Sequence, residues 1–391
     1  MTTTLTAPNA VTWTIGQPRL LAGLDHHPTL DHAAHVATHG PLPPTDRARL
    51  SALLEQIALR GRGGAGFPFA TKLQATPDRA EVIVNGSESE PASLKDRTLL
   101  RRAPHLVLDG ALAVATAIHA RRVTVAVHDP ASAVAIQQAI TERHAQVHVE
   151  HTRGGFVAGE ARALRRALAG GPPLPPGRRG HLAPHGTLLS NVETFAQVAI
   201  ALRLGPYRFR DTGSYAEPGT TLLTLSGAVA RPGVVEIPIG TPLGVLLTAA
   251  EALAPQAVIM GGYHGSWHPP SAEIPLAGSA GLGAGVVAVL DDSTCAWGEL
   301  LGVAGWLAAQ SSGQCGPCRF GLPALAHDLA RGDIQAALRH AAVVDGRGAC
   351  HHPDGAVRFI TSALHVLRDE IERHRMGGCG RPVRGQLAVP A

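Results

Sequence analysis

Between residues 81 and 150 short apolar runs alternate with helical stretches, which restricts this part of the chain to a parallel sheet with helices on its faces. Residues 81–85 and 122–127 read as buried strands, and 147–150 as another. Residues 106–120 and 131–143 read as the helices between them. Upstream, Leu50, Leu53, Leu54 and Ile57 recur at helical spacing, predicting a helix over about 46–59 with Thr45 as its cap. A Pro/Gly loop follows at 170–179.

The pattern then changes. Runs at 221–227 and 233–237 flank a Pro-Gly turn, and Thr241-Pro242 opens a predicted helix reaching about Leu253. Strands at 257–260 and 286–290 complete a small β-grasp-like unit. Beyond Asp291 the chain reads as helical to about His374, interrupted by two cysteine-bearing loops. A chain of 391 residues is too long for one ordinary core, so several domains are expected. The expected division is an irregular arm (1–45), an α/β domain (46–216), a β-grasp domain (217–291), a helical domain (292–375) and a mobile tail (376–391).

Net charge is +4, too weak and too scattered to argue for nucleic-acid binding. Residues 1–11 have neither a basic n-region nor an apolar h-region, so no signal peptide is expected. No run of 18 apolar residues suggests a membrane span, and a cytoplasmic location is the expectation. Five cysteines in a chain this long argue against a disulfide framework.

Lys72 and Lys95 are the two lysines of the chain; every other strong base is arginine. A lysine in that company marks a position where a compact ammonium suits and a planar guanidinium does not. Lys72 follows the glycine-rich loop 61–68. Glycines let a backbone approach a phosphate or ring closely, and their N–H groups can cradle an anion. The loop is neither a Walker loop nor a G-x-G-x-x-G turn after a strand, and a flexible loop is the plain alternative. Lys95 lies in segment 85–97, at the carboxyl end of a predicted strand, where open α/β sheets bind ligands. Glu88, Glu90 and Asp96 share that segment, whose plain alternative is a solvated turn. Cys315-Gly316-Pro317-Cys318, with Cys350 beyond, lies among predicted helices, which favours a metal centre over a redox pair.

Taken in order, these segments resemble the NADH-oxidising flavin subunit of respiratory complex I and its relatives in NAD-linked hydrogenases and formate dehydrogenases. The family's R-G-R-G-G-A-G-F-P loop is present unbroken at 60–68. Its N-A-D-E-G-E-P-G-T-F-K-D-R segment corresponds to 85–97, G-E-E-T-A-L to 159–164, and P-T-x-x-N-N-V-E-T to 186–194. A small S-G-x-V-x-R-P-G-V-Y-E unit corresponds to 226–236, and S-C-G-x-C-x-P-C-R to 311–319.

The resemblance implies a Rossmann-like FMN-binding domain, an SLBB-like β-grasp domain and a helical iron–sulfur domain. NADH would give hydride to FMN, and a cluster would take electrons singly. Gly61, Gly63, Gly64 and Gly66 would line the flavin phosphate and ring. Lys72 would balance negative charge on phosphate or reduced flavin, and with Glu88 is the expected catalytic pair. Asn85, Glu88 and Asn191 would hold the isoalloxazine or ribityl chain. Phe67 would stack in the nucleotide site, bordered by Glu90 and Glu160. Arg62, Ser87, Phe156, Ser190 and Thr194 are carried over as further cofactor-binding residues. The implied partner is a ferredoxin-like or other redox subunit, with peripheral association to a membrane complex. The thioredoxin-like partner domain of complex I has no counterpart in the sequence and would lie on another chain.

Several family positions are changed. Ser87 replaces Asp, Ser190 the first Asn, Phe156 a Tyr, and Ala183 a Phe. Ala161-Arg162 replaces Glu-Thr; an Arg near the adenosine ribose accommodates a 2′-phosphate, so relaxed or reversed preference toward NADPH is expected, unless Arg162 faces solvent. Ser312 takes the place of the first cluster cysteine, leaving Cys315, Cys318 and Cys350. Serine oxygen is a harder ligand than thiolate. A 4Fe-4S cluster with Ser312 as ligand, one rescued by Cys379 or Cys295, a 3Fe-4S cluster and no cluster all stay open. Two other readings also stand: a non-catalytic scaffold or electron-transfer adaptor, and a zinc site at the three cysteines completed by His351 or His352.

Overall fold

The alternating segment does form a parallel sheet. The structure, a computed structural model, describes residues 10–177 and 186–390. In chain order the strands are β1 (Thr12–Thr14), β2 (Glu81–Gly86), β3 (Arg122–Val127), β4 (His148–His151), β5 (Thr187–Asn191), β6 (Thr220–Gly227), β7 (Gly233–Pro238), β8 (Thr241–Pro242), β9 (Pro255–Met260), β10 (Ser266–His268), β11 (Pro275–Leu276) and β12 (Val286–Asp291). The helices are α1 (His32–His39), α2 (Arg47–Gln56), α3 (Phe69–Gln74), α4 (Lys95–Arg102), α5 (Pro104–Ala117), α6 (Pro130–Glu142), α7 (Ala161–Leu168), α8 (Val192–Arg210), α9 (Leu243–Ala249), α10 (Ala296–Ala309), α11 (Leu322–Ala330), α12 (Ile334–Val344), α13 (His352–Val366) and α14 (Arg368–Arg375).

The first sheet has the order β4-β3-β2-β5, all parallel. The order runs outward from β2 to β4 and then reverses to β5, so the switch point falls between β2 and β5. Their carboxyl ends are in register: Asn85, one residue before the end of β2, pairs with Asn191, the last residue of β5. Ligands in open α/β sheets bind in the crevice outside such a point. Val82, Val84, Val123 and Val125 are buried on this sheet and share one core with α2, α5 and α8.

The second sheet, β1-β7-β6-β12-β9-β10, has its own core of Leu223, Val235, Leu246, Val258 and Val287. Helices α10 to α14 enclose a third, around Trp297, Leu300, Leu325, Phe359 and Ile360. No described helix is long and apolar enough to cross a membrane.

Several expected boundaries move, each for a local reason. Asp46, not Thr45, caps α2, its carboxylate accepting the Arg49 N–H at 2.9 Å. That helix stops at Gln56, before Ala58 takes φ +49°. Helix α5 starts earlier than expected because Pro104 suits the first turn. The helix after Pro242 ends at Ala249, not Leu253, since Glu251 and Ala254 adopt left-handed φ.

The arm is not irregular throughout. Thr12–Thr14 joins the second sheet parallel to β7, and His32–His39 is helical with Asp31 as N-cap. Buried Glu236 holds the arm down by accepting the backbone N–H groups of Arg19, Leu20 and Leu21. The tail expected to be mobile packs against the body through residue 390. Glu299 accepts the N–H groups of Arg384, Gln386 and Leu387, and the Tyr263 hydroxyl donates to the Ala388 carbonyl.

Candidate flavin and iron–sulfur site

The glycine loop is a closed hairpin. Arg60 and Pro68 form an antiparallel bridge, and Gly61 N–H donates to the Phe67 carbonyl at 2.9 Å. Gly64 and Gly66 take φ of +94° and +60°, which a side chain would resist. A Cβ on Gly63 would stand 3.3 Å from that of Asn191, so the loop lies directly on the carboxyl end of β5. Arg62 N–H donates to the Thr194 hydroxyl, fixing the loop to the first turn of α8. Thr194 is therefore a clamp for the loop, and Ser190 is buried in β5 opposite Val84.

Helix α3 leaves this loop and presents Lys72. Its ammonium donates to the Leu189 carbonyl at 3.0 Å and faces the half-exposed Phe67 ring at 5.9 Å. Burial lowers its pKa, and among the described residues no carboxylate pairs with it. An ammonium in that position suits an anionic ligand.

Lys95 has the opposite surroundings. Its ammonium contacts Asp96 at 2.7 Å, Glu193 at 3.1 Å and the Asn191 side-chain oxygen at 3.3 Å. Burial works against the charge, but Asp96, Glu193 and Glu88 outweigh it and hold the pKa above its ordinary value. Arg62 approaches Glu193 at 3.9 Å, with its Nε buried and lacking a hydrogen-bond partner. Asn191 caps α8 through the Glu193 N–H and also donates to Asp96. The sequence by itself assigns no role to Glu193 or Asp96. The signal available was their place within the two motifs that carry Asn191 and Lys95.

Glu88 does not face an open site with its carboxylate. Ser93 Oγ and Asp96 N–H donate to one oxygen, and Arg97 N–H and Nε donate to the other. Burial opposes its charge, yet Arg97 keeps the pKa below the usual range. These contacts make Glu88 the anchor of the α4 N-terminus. Asn85 donates to the Gly159 carbonyl at 3.0 Å and accepts the Ser87 N–H. Ser87 Oγ lies 3.2 Å from Thr152 Oγ1. Glu90 accepts the Tyr263 N–H at 2.9 Å, and burial pushes its pKa up to about 7. Glu160 caps α7 by accepting the N–H groups of Arg162 and Ala163. Arg162 does not point to solvent: it is buried, pairs with Glu160 at 2.9 Å and donates to the Gly177 carbonyl. Ala183 lies outside the described residues.

Two spaces lie at this end of the sheet. The one enclosed by Gly61, Gly64, Lys95 and Glu193 holds about 30 Å³, room for little more than water. The other, about 570 Å³, is lined by Ser87, Glu88, Arg97, Arg153, Phe156 and Gly159. Its size lies within the range of cofactor sites. Trp306 also stands on its walls, and nothing local in the sequence connects it or Arg153 to the 85–97 segment. Phe156 packs edge-on against Trp306 and His264, which ties the α/β unit to the helical one.

The cysteine loops come to the same place. Cys318 lies in a π-helical turn, Pro317–Gly321, with its thiol pushed up to about 12, first by burial and then by Cys315. The neighbouring Ser312 hydroxyl opposes the rise. Cys350 feels both Cys315 and, from the α/β unit, Glu160 and Arg162. Gln314 donates to the Pro175 carbonyl, joining the first cysteine loop to that unit. Three cysteines thus lie near one another, with Ser312 next to Cys318, a donor set suited to iron–sulfur chemistry. Neither neighbouring histidine completes a zinc site there. Both His352 nitrogens are engaged, by Leu307 and His264, and His351 is exposed and paired with Asp354. Cys295 and Cys379 do not join the three either; they meet each other at a separate place.

A nucleotide-sized crevice at the carboxyl end of a parallel sheet, with a cysteine centre beside it, fits an α/β redox protein of the flavin and iron–sulfur class. Known proteins agree with this. The Nuo51 FMN-binding domain matches residues 54–200, and the NADH-ubiquinone oxidoreductase-F iron-sulfur binding region matches 300–374. The chain is 30% identical over 383 residues to the NADH-quinone oxidoreductase F subunit of Streptomyces coelicolor, covering 84% of each. It is 31% identical over 371 residues to an NADH-quinone oxidoreductase F subunit of Rhizobium meliloti, covering 82% of this chain and 87% of the relative. A solved NAD+-reducing [NiFe]-hydrogenase superposes with a TM-score of 0.81 at 29% identity, covering 93% of this chain and 68% of that one. The chain belongs to the family of NADH-quinone oxidoreductase F subunits.

Proposed function

We propose that this chain is an FMN-dependent NAD(P)H:acceptor oxidoreductase subunit that passes electrons through an iron–sulfur centre to a redox partner. The observation that carries the reading is the half-buried Lys72 ammonium, unpaired with any described carboxylate and bonded to the Leu189 carbonyl of β5, beside the strand ends where Asn85 and Asn191 stand in register. A scaffold gains nothing from such a desolvated charge, so the non-catalytic reading is not favoured. FMN, when bound, accepts a two-electron hydride and releases electrons one at a time.

The division of labour follows. Residues 46–216 hold FMN and the nicotinamide nucleotide, 217–291 brace the glycine loop, and 292–375 carry the cluster. The loop glycines and Lys72 receive the phosphate. Asn85 and Asn191 orient the flavin through side chains already fixed by Gly159 and Asp96. Phe67 stacks on the nucleotide, and Glu90, poised near neutrality, sits at its border. Glu88 acts through its backbone and through α4, since its carboxylate is fully engaged. Cys315, Cys318, Cys350 and Ser312 ligate the cluster. The partner is a ferredoxin-like or other redox subunit, and the assembly is peripheral to a membrane or free of one.

The test is an anaerobic optical titration of the purified protein with NADH. Flavin absorption that bleaches supports the reading; a protein that stays colourless after reconstitution with FMN and iron sulfide overturns it. Nucleotide preference has its own expectation. Arg162 neutralises Glu160 but is committed to it, so NADPH should be tolerated rather than preferred. Replacing Arg162 by Thr should widen the NADH to NADPH ratio of kcat/KM by about tenfold, on the order of one lost charge-assisted contact. A wild-type protein strictly confined to NADH would reject the expectation.

A further inference from the structure

Away from the crevice, four side chains from three parts of the chain converge. They are Cys295, Glu370, His374 and Cys379, with one ligand atom from each and all four atoms within 4.8 Å of one another. Cys295 caps α10, its Sγ accepting the Gly298 N–H at 3.3 Å. Glu370 and His374 lie one turn apart on α14 and so share a face. Cys379 returns to that face because Gly377 and Gly378 take φ of +116° and +112°, which reverses the chain past the helix end. The Cys295 sulfur is 3.3 Å from His374 Nε2.

Glu370 supplies the second observation. Its side chain is 2% exposed, and one oxygen, Oε2, is held by Arg373 and Arg381. The other, Oε1, is buried with no hydrogen-bond partner and lies 3.5 Å from His374 Nε2. A buried carboxylate oxygen is costly to leave without a partner. Here it is aimed at two sulfurs and an imidazole.

We propose that these four residues bind a single zinc ion in a closed structural site. Two thiolates, an imidazole and one carboxylate oxygen are a tetrahedral zinc shell, and soft sulfur donors disfavour magnesium or calcium. All four positions come from protein, which leaves none open for catalysis. The charges close as well. Two thiolates and a carboxylate exceed the charge of zinc by one, and Arg373 and Arg381 bind the carboxylate from behind and orient it. The ion would fasten the C-terminal strap to α10 and α14. Cys295 N–H already donates to the Pro382 carbonyl, and the strap continues to Leu387, buried, and to Tyr263, whose N–H binds Glu90. The site is independent of the flavin and cluster reading.

The experiment is metal analysis of the full chain purified without chelators. It is run on wild type, His374→Ala, the pair Cys295→Ser/Cys379→Ser, and the pair Cys315→Ser/Cys318→Ser. Expected is about one zinc per chain in wild type and in the Cys315/Cys318 variant, with at least a tenfold loss in the other two. Should those two fail to fold, cobalt added to chelator-stripped wild type should give thiolate-to-metal charge-transfer absorption that zinc abolishes. Zinc retained by the Cys295/Cys379 variant, no zinc or cobalt uptake by wild type, a Cys295–Cys379 disulfide found by mass spectrometry, or iron in place of zinc would each overturn the proposal.

Discussion

Lys95 and Lys72 show how two like residues acquire different work from their surroundings. Lys95 fills a narrow space: a Cβ on Gly285 would come within 3.0 Å of its side chain, and Asp96, Glu193 and Asn191 surround its ammonium. Replacing it by Met leaves buried carboxylates uncompensated and should cost about 3–5 kcal/mol in chemical denaturation. An unchanged midpoint would show that the network is not holding the fold. Glu90 gives a pH dependence of definite sign. Its folded pKa, about 7, lies above its ordinary 4.5, so the folded state binds more protons than the unfolded chain between these values. Its contribution to stability is complete below about 4.5 and is lost as pH rises through 7. Glu90→Gln should therefore be more stable than wild type at pH 8, by roughly 3 kcal/mol at most, and equal near pH 4. Denaturation curves at the two pH values would decide it, and parallel pH profiles would refute it.

Helices and strands here were largely legible because their apolar periodicity is strong. Arg122–Val127 falls where expected, and β2 and β6 differ by a residue. The misses share one cause. Thr12–Thr14, Thr187–Asn191 and the C-terminal strap depend on partners far along the chain. Glu236 shows this most directly, since one buried carboxylate collects three consecutive N–H groups from more than two hundred residues away. The strap is a comparable case. Removing residues 377–391 would leave buried Glu299 without three of its donors and expose the surface that Leu387 covers. The truncated chain should lose about 3 kcal/mol or more, read as a lower thermal midpoint. An unchanged midpoint would mean the tail contributes nothing to the fold.

Two packed units become one redox device where the α/β crevice meets the cysteine loops. Gln314 reaching Pro175, Phe156 against Trp306, and Cys350 beside Glu160 and Arg162 join a flavin-type site to a sulfur centre. The proposed cluster's weak point is Ser312, since a serine oxygen is a harder and poorer iron ligand than a thiolate. Ser312→Cys should raise iron and acid-labile sulfide per chain, and Cys318→Ser should abolish both. Equal iron in wild type and Ser312→Cys would mean that the hydroxyl serves as well as a thiolate, or that the fourth position is not used.

Local order left a clear record in the residues: three of the four strands of the parallel sheet, the glycine-rich loop, the C-x-x-C loop and the family all follow from runs and spacings a few residues long. The environment of each side chain did not, because burial and ion pairing are set by groups distant in sequence. Only the folded chain committed Glu88 to a helix end, turned Arg162 inward onto Glu160, drew the tail against Glu299, and placed Cys295 and Cys379 together, apart from the other cysteines.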